Sequence, residues 1–276
     1  MSQTRLPDNE LIKQAVDLVS SARSKGIELR TLGAVAVYLH CLAHDPALAN
    51  LYSKLSRLGE GKPLFTDLDL IAYSSQRSNL MKFLEKDMRL IPNLRFNSVF
   101  ALKRMIYYHG DEYSIDVFFD KLEYSHDVPF GNKPQNGRLN LDFPTITLAD
   151  IVLEKLQIHD INQKDIIDLN MLFLYHDIAN GISDTDLIDG SRILQFVADD
   201  WGFWHDATTN LRHAIALSVR LSGEGKLSEG QARTIESRMQ RLLDMMEKAP
   251  KTGSWQKRAK IGASKPWYRD VEEVRR

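Results

Sequence analysis

Cysteine is almost missing: Cys41 is the only one in 276 residues. An intrachain disulfide is therefore excluded, as is a zinc site built on paired cysteines, and the composition suits a reducing, cytoplasmic setting. Long apolar runs are missing too. No stretch approaches the ~20 residues of a membrane-spanning helix. Met1-Ser2-Gln3-Thr4-Arg5 lacks the apolar core of a signal peptide, so no membrane association is expected. Neither sign of charge dominates. With 36 Lys and Arg against 37 Asp and Glu, the net charge is -1, and no global field draws the chain to nucleic acid or anionic lipid. Repeats and low-complexity tracts are also lacking. What is present is an ordinary globular balance, with enough length for one large or two modest domains.

The most informative stretch is Phe65-Thr66-Asp67-Leu68-Asp69-Leu70-Ile71-Ala72-Tyr73. Apolar, aromatic and β-branched residues bounded by turn formers predict a buried strand. Side chains alternate along a strand, so Asp67 and Asp69 share a face, with Cα atoms roughly 6–7 Å apart. Two like charges on an apolar strand are costly unless compensated. Either both sit at the solvent end of the strand, or a hard divalent cation such as Mg²⁺ offsets them.

Around this stretch the pattern alternates. Residues 9–24 have helical periodicity, ended by Gly26. Residues 27–32 read as a short strand, Gly33 as a turn and residues 34–42 as an apolar helix. A strand, a glycine and a helix can cradle a phosphate on the helix N-terminus, or can be a tight turn with no ligand. A short helix over 46–58 and a helix over 80–88 are expected on either side of the acidic strand. Residues 97–108 and 113–119 read as a β-hairpin turning at His109-Gly110-Asp111-Glu112. Asp116 falls in its second strand. There it either faces water at an edge or joins the 67/69 pair as a third carboxylate.

Residues 124–144 are loop-like, with a short strand expected at 138–143. Thr147 and Asp150 form a capping box for a helix over 148–158, which carries Lys155. A second helix over 163–175 carries Lys164, Asp165 and Asp168. Composition shifts at 180–184, the expected domain boundary. Helices are then expected over 184–197, over 207–221 and after the Ser228/Gln231 capping box. The stretch 251–276 mixes cations with Trp255, Trp267 and Tyr268. Such a tail either grips phosphates and stacks bases or packs its aromatics back on the body.

Taken in order, Gly33, Asp67-Leu68-Asp69-Leu70, Asp116, Leu153-Glu154-Lys155-Leu156-Gln157 and Lys164-Asp165-Ile166-Ile167-Asp168-Leu169 resemble the DNA polymerase β-like nucleotidyltransferase superfamily. The nearer likeness is to its abortive-infection, AbiEii-like branch, which includes toxins of toxin–antitoxin pairs. The resemblance spans roughly residues 28–176. It implies an α+β fold: a nucleotidyltransferase-like domain over residues 1–180, with a small mixed β-sheet flanked by helices, then an α-helical domain over 181–276 with a basic, aromatic tail. It further implies that Asp67, Asp69 and Asp116 hold Mg²⁺ and that Asp116 activates the acceptor hydroxyl. Lys155 would contact triphosphate or assist the carboxylates. Gly33, Lys62, Thr66, Lys164 and Asp165 would bind the nucleotide. The implied partners are a nucleoside triphosphate, an RNA or protein acceptor and an antitoxin. The chain departs from the pattern where Ala34 replaces the second residue of the usual Gly-Ser or Gly-Gly pair, and where Lys62 is the nearest cation before the first Asp. Both changes loosen the grip on triphosphate.

Two other readings follow from the sequence. A nucleotidyltransferase scaffold without activity would act through its helical region as an interaction platform. Alternatively, His176-Asp177 resembles the metal-binding core of HD-type phosphohydrolases, although that class is all-helical and this chain has strands before residue 145.

Overall fold

The computed structural model describes residues 6–181 and 184–270. Met1–Arg5, Ile182 and Ser183 in the expected boundary, and the last six residues of the tail lie outside them. In chain order the elements are α1 (Asp8–Ser24), β1 (Leu29–Leu32), α2 (Gly33–Leu42), α3 (Leu48–Leu55), β2 (Asp67–Ala72), α4 (Arg77–Lys82), β3 (Ile91–Pro92), α5 (Leu94–Phe100), β4 (Arg104–His109) and β5 (Tyr113–Phe119). Then come β6 (Lys121–Glu123), β7 (Asp127–Pro129), α6 (Leu148–Leu156), α7 (Gln163–Tyr175), β8 (Ile178–Ala179), β9 (Ile188–Asp189), α8 (Gly190–Val197), α9 (Trp201–Gly223), α10 (Glu229–Lys248) and α11 (Gly253–Ala259). The fold is α+β. Its contacts define two units: residues up to 43 with 58–122 and 129–147, and residues 44–57 with 123–128 and 148 onward. The α6–α7 hairpin thus groups with the helices that follow it, whereas composition alone marked the change near 180.

The first unit is built on a mixed five-stranded sheet of order β1-β2-β5-β4-β3. β2 runs antiparallel to β1 and parallel to β5, and β4 is antiparallel to β5. Leu68, Leu70, Ile71 and Ala72 of β2 and Ile115 and Val117 of β5 are fully buried. Burying each such side chain is worth about 1.5–3 kcal/mol, which fixes these two strands at the centre of the sheet. α1 buries Leu11, Ala15, Leu18, Val19 and Ala22, a stripe at helical spacing.

The first strand of the expected hairpin is shorter than the sequence suggests. Residues 94–100 form α5, because Asn93 caps it by accepting from Phe96 N. Asn97 then accepts from Ile106 N and donates to Ile106 O, doing the work of a strand neighbour from a helix. Val99, Phe100 and Leu102 are exposed here. Residues 138–143 form a 3-10 turn at Leu139–Leu141 rather than a strand. The loop beyond it instead reaches β1 through Thr31 N donating to Pro144 O.

The second unit is mainly helical and contains all four tryptophans. α10 carries the expected capping box, with Ser228 and Gln231 each bonding the other's backbone N–H. It buries the stripe Ile235, Met239, Leu242, Leu243 and Met246. The helix expected over 184–197 is confined to 190–197. Asp189 caps it through Ser191 N, and Ile188 pairs in parallel with Ile178 across β9 and β8. α9 starts six residues earlier than expected, since Asp200 accepts from Gly202 N and Phe203 N.

The aromatic residues of the tail pack back. Trp267 Nε1 donates to Asp206 Oδ1 at 2.9 Å, and Trp255 meets Trp204 edge to face. Gly202 makes room for this: a β-carbon there would fall 2.8 Å from Trp267 O. His126 Nε2 and His159 Nδ1 also lie within 2.9 Å of Asp206 oxygens. Burial opposes the charge on Asp206, yet these hydrogen bonds prevail and hold its carboxyl below the usual range. Lys257, Lys260 and Lys265 of the same tail are exposed.

Candidate active site

The parallel register of β2 and β5 sets Asp69 directly opposite Asp116 and Asp67 opposite Ser114. Asp67 and Asp69 share a face by alternation, and Asp116 joins that face through the register. One carboxylate oxygen from each of the three lies within 4.8 Å of the others. Asp67 and Asp69 are half-buried, and Asp116 is fully buried. Thr66 Oγ1 donates to Asp67 Oδ1 at 3.1 Å. Thr66 and Lys62 are both exposed.

Gly33 ends β1 and opens α2 beside this cluster. Its φ is +66°, and a β-carbon built on it would sit 2.7 Å from Asp69 Oδ2. Both conditions demand glycine: the left-handed conformation penalises any side chain, and here a side chain would strike a carboxylate. The first turn of a ten-residue helix therefore begins in contact distance of the acidic face.

Sequence reasoning missed Arg104. It lies two residues from Ile106, the partner of Asp116 in the β4–β5 register, and so on the same face. Its Nε and Nη2 both lie 3.1 Å from Asp116 Oδ1. A carboxylate buried this deeply needs a counter-charge, and Arg104 supplies it. The Phe118 ring, 4.9 Å from the guanidinium carbon, steadies the arginine. The signal was available only as a cation in a strand next to an acid-bearing strand, and became useful once the hairpin register was known.

Lys155, Lys164 and Asp165 belong to the second unit. Lys164 is exposed. Lys155 is buried, with its ammonium 2.8 Å from Asp165 Oδ1, 3.2 Å from Asp168 Oδ2 and 3.5 Å from Glu154 Oε1. Arg57, another residue the sequence did not single out, grips Asp168 in a fork at 2.6 and 2.8 Å. Burial alone would lower the Lys155 ammonium, but the three carboxylates overrule it and hold it well above its usual value. Burial likewise opposes ionisation of Asp165, and Lys155 overrules it, keeping that carboxyl low. The network ties α6 and α7 to the end of α3.

The His176-Asp177 pair is divided between two tasks. His176 faces Asp186, whereas Asp177 takes Arg241 at 3.1 Å and accepts from Ile178 N. Comparison of the chain with family models, curated proteins and solved structures gave no match.

Proposed function

We propose that the chain is a nucleotidyltransferase that moves a nucleoside monophosphate from a triphosphate to a hydroxyl. The observation that carries this reading is the meeting of Asp67, Asp69 and Asp116 beside Gly33. Three carboxylates from two adjacent parallel strands, one of them wholly buried, form an oxygen donor set of the kind that suits Mg²⁺. Asp67, Asp69 and Asp116 would hold the metal. When bound, Mg²⁺ would neutralise triphosphate charge and favour in-line displacement.

The chain's own residues divide the remaining work. The N-terminal turn of α2, opened by Gly33, presents backbone N–H groups toward an anion. Asp116 accepts the proton of the attacking hydroxyl as its oxygen bonds to the α-phosphorus. The bond from that phosphorus to the bridging oxygen breaks, and pyrophosphate leaves. Arg104 orients Asp116 and balances its charge. A domain arrangement, toxin role and antitoxin partner of the AbiEii-like kind fit this reading. Among the described residues no helix is long and apolar enough to cross a membrane.

The test is transfer of label from each α-³²P nucleoside triphosphate, with Mg²⁺, to whole-cell RNA and protein. Label appearing in either fraction, and vanishing with Asp69→Ala, supports the reading. No transfer, together with no Mg²⁺- and triphosphate-dependent thermal shift that Asp67→Asn removes, would overturn it in favour of an inactive scaffold.

A further inference from the structure

The second unit contains a cluster that plays no part in the proposed transfer. His44 follows α2, His176 ends α7, and Asp186 lies in the turn before β9. The parallel pairing of Ile178 with Ile188 puts positions 176 and 186 in register, two residues ahead of each paired residue. The turn is itself fixed, because Asp184 Oδ1 accepts from Asp186 N at 2.9 Å. His44 is held from the other side: its ring packs edge-on against His176 at 4.8 Å, and the neighbouring Asp45 accepts the Tyr175 hydroxyl at 2.8 Å.

The result is that two imidazole nitrogens aim at one carboxylate oxygen. His44 Nε2 lies 2.7 Å and His176 Nδ1 3.2 Å from Asp186 Oδ1. All three candidate ligand atoms are within 4.8 Å of one another. His176 Nδ1 is also 3.1 Å from the Asp186 backbone oxygen.

We infer that His44, His176 and Asp186 form a binding site for a divalent transition-metal ion of the zinc class, separate from the acidic face of the first unit. Two neutral imidazoles and one carboxylate are a borderline donor set, suited to zinc, cobalt or nickel rather than to magnesium. Ligands around a shared ion at about 2.0–2.2 Å stand roughly 3–3.5 Å apart, so the two nitrogen–oxygen spacings, 2.7 and 3.2 Å, need change by only tenths of an ångström. Asp186 and part of His44 face solvent, giving the ion a way in and leaving coordination positions for water or substrate. Asp177 is not in the set, since it is turned toward Arg241.

The experiment uses the full chain carrying Asp67→Asn and Asp69→Asn, which disables the acidic face. Equilibrium dialysis against Zn²⁺, and titration with Co²⁺ followed by its visible ligand-field bands, should show one ion per chain. His44→Ala and Asp186→Asn, both at solvent-accessible positions, should each weaken binding by at least about 100-fold while far-UV circular dichroism stays unchanged. His176→Ala should do the same if it folds. No ion retained by the parent, or equal retention by His44→Ala and Asp186→Asn, would overturn the inference. Neither outcome bears on the transferase reading, which is tested with Mg²⁺ and intact Asp67 and Asp69.

Discussion

Gly33 and Asp69 are packed so that glycine is the only residue with room between them: a β-carbon at position 33 would fall 2.7 Å from Asp69 Oδ2. Gly33→Ala should therefore displace the carboxylate as well as strain the backbone. Gly110→Ala is the control, since Gly110 also has positive φ, at +54°, but has open space around it. The backbone term alone is on the order of 1 kcal/mol in both variants. A thermal melt should show Gly33→Ala falling further than Gly110→Ala, and only Gly33→Ala should lose the shift given by Mg²⁺ with triphosphate. Equal losses in both variants would argue that Asp69 is not crowded.

Charge repulsion in the triad gives a second prediction. Without metal, Asp67→Asn removes one of three like charges and should raise stability by about 1 kcal/mol. With saturating Mg²⁺ the order should reverse, because only the wild type gains from the ion. Melts in EDTA and in Mg²⁺ give both numbers. A variant that is less stable in both would show that the carboxylate was satisfied within the protein.

Lys155 should be indispensable to the second unit. Lys155→Met leaves Asp165, Asp168 and Glu154 facing one another and should cost about 3–5 kcal/mol, the usual penalty for breaking a buried ion pair. Because every tryptophan lies in that unit, urea denaturation followed by tryptophan fluorescence reports it directly. A loss under 1 kcal/mol would mean the site admits water.

The same network sets an acid limit. Asp165 has a folded-state pKa below its unfolded value of about 3.9, so its contribution is present above that pH and fades as pH falls through the folded value. Fluorescence-monitored stability should drop below about pH 4, and Asp165→Asn, already weakened at neutral pH, should show a flatter drop.

Asp142 in the first unit works in the opposite sense. Burial pushes its carboxyl up to about 6, outweighing the hydrogen bond it accepts from Phe143 N and the attraction of Arg30. The folded state prefers the protonated form, so stability is favoured below the unfolded value and is lost as pH rises through about 6. Asp142→Asn should match the wild type near pH 4 and exceed it at pH 8, by at most about 3 kcal/mol. Hydrogen exchange of β1 peptides measures this, since the first unit has no tryptophan. A constant difference across that range would refute it.

The carboxylate pair at 67 and 69 was legible because strand alternation is a local rule. Asp116 was legible only conditionally, since its place depended on which strands become neighbours. Arg104 and Arg57 were not legible. Each acts on an acid far from it in sequence, Asp116 twelve residues on and Asp168 over a hundred. Residues 97–102 misled because their composition favours a strand, while Asn93 and Asn97 use side-chain hydrogen bonds to favour a helix that leaves Val99, Phe100 and Leu102 in water. Residues 184–189 misled for a related reason: the helical spacing continues through them, but Asp189 caps the helix late and Ile188 is claimed by Ile178.

The bare α-carbon of Gly202 has a practical reach beyond its own packing. Because the Trp267 indole seats on it, filling that notch with a leucine would evict the last stretch of the described chain without cutting it. Asp206 would then keep the imidazoles of His126 and His159 but lose its indole donor. A single substitution thus provides a handle on a carboxylate that is otherwise buried.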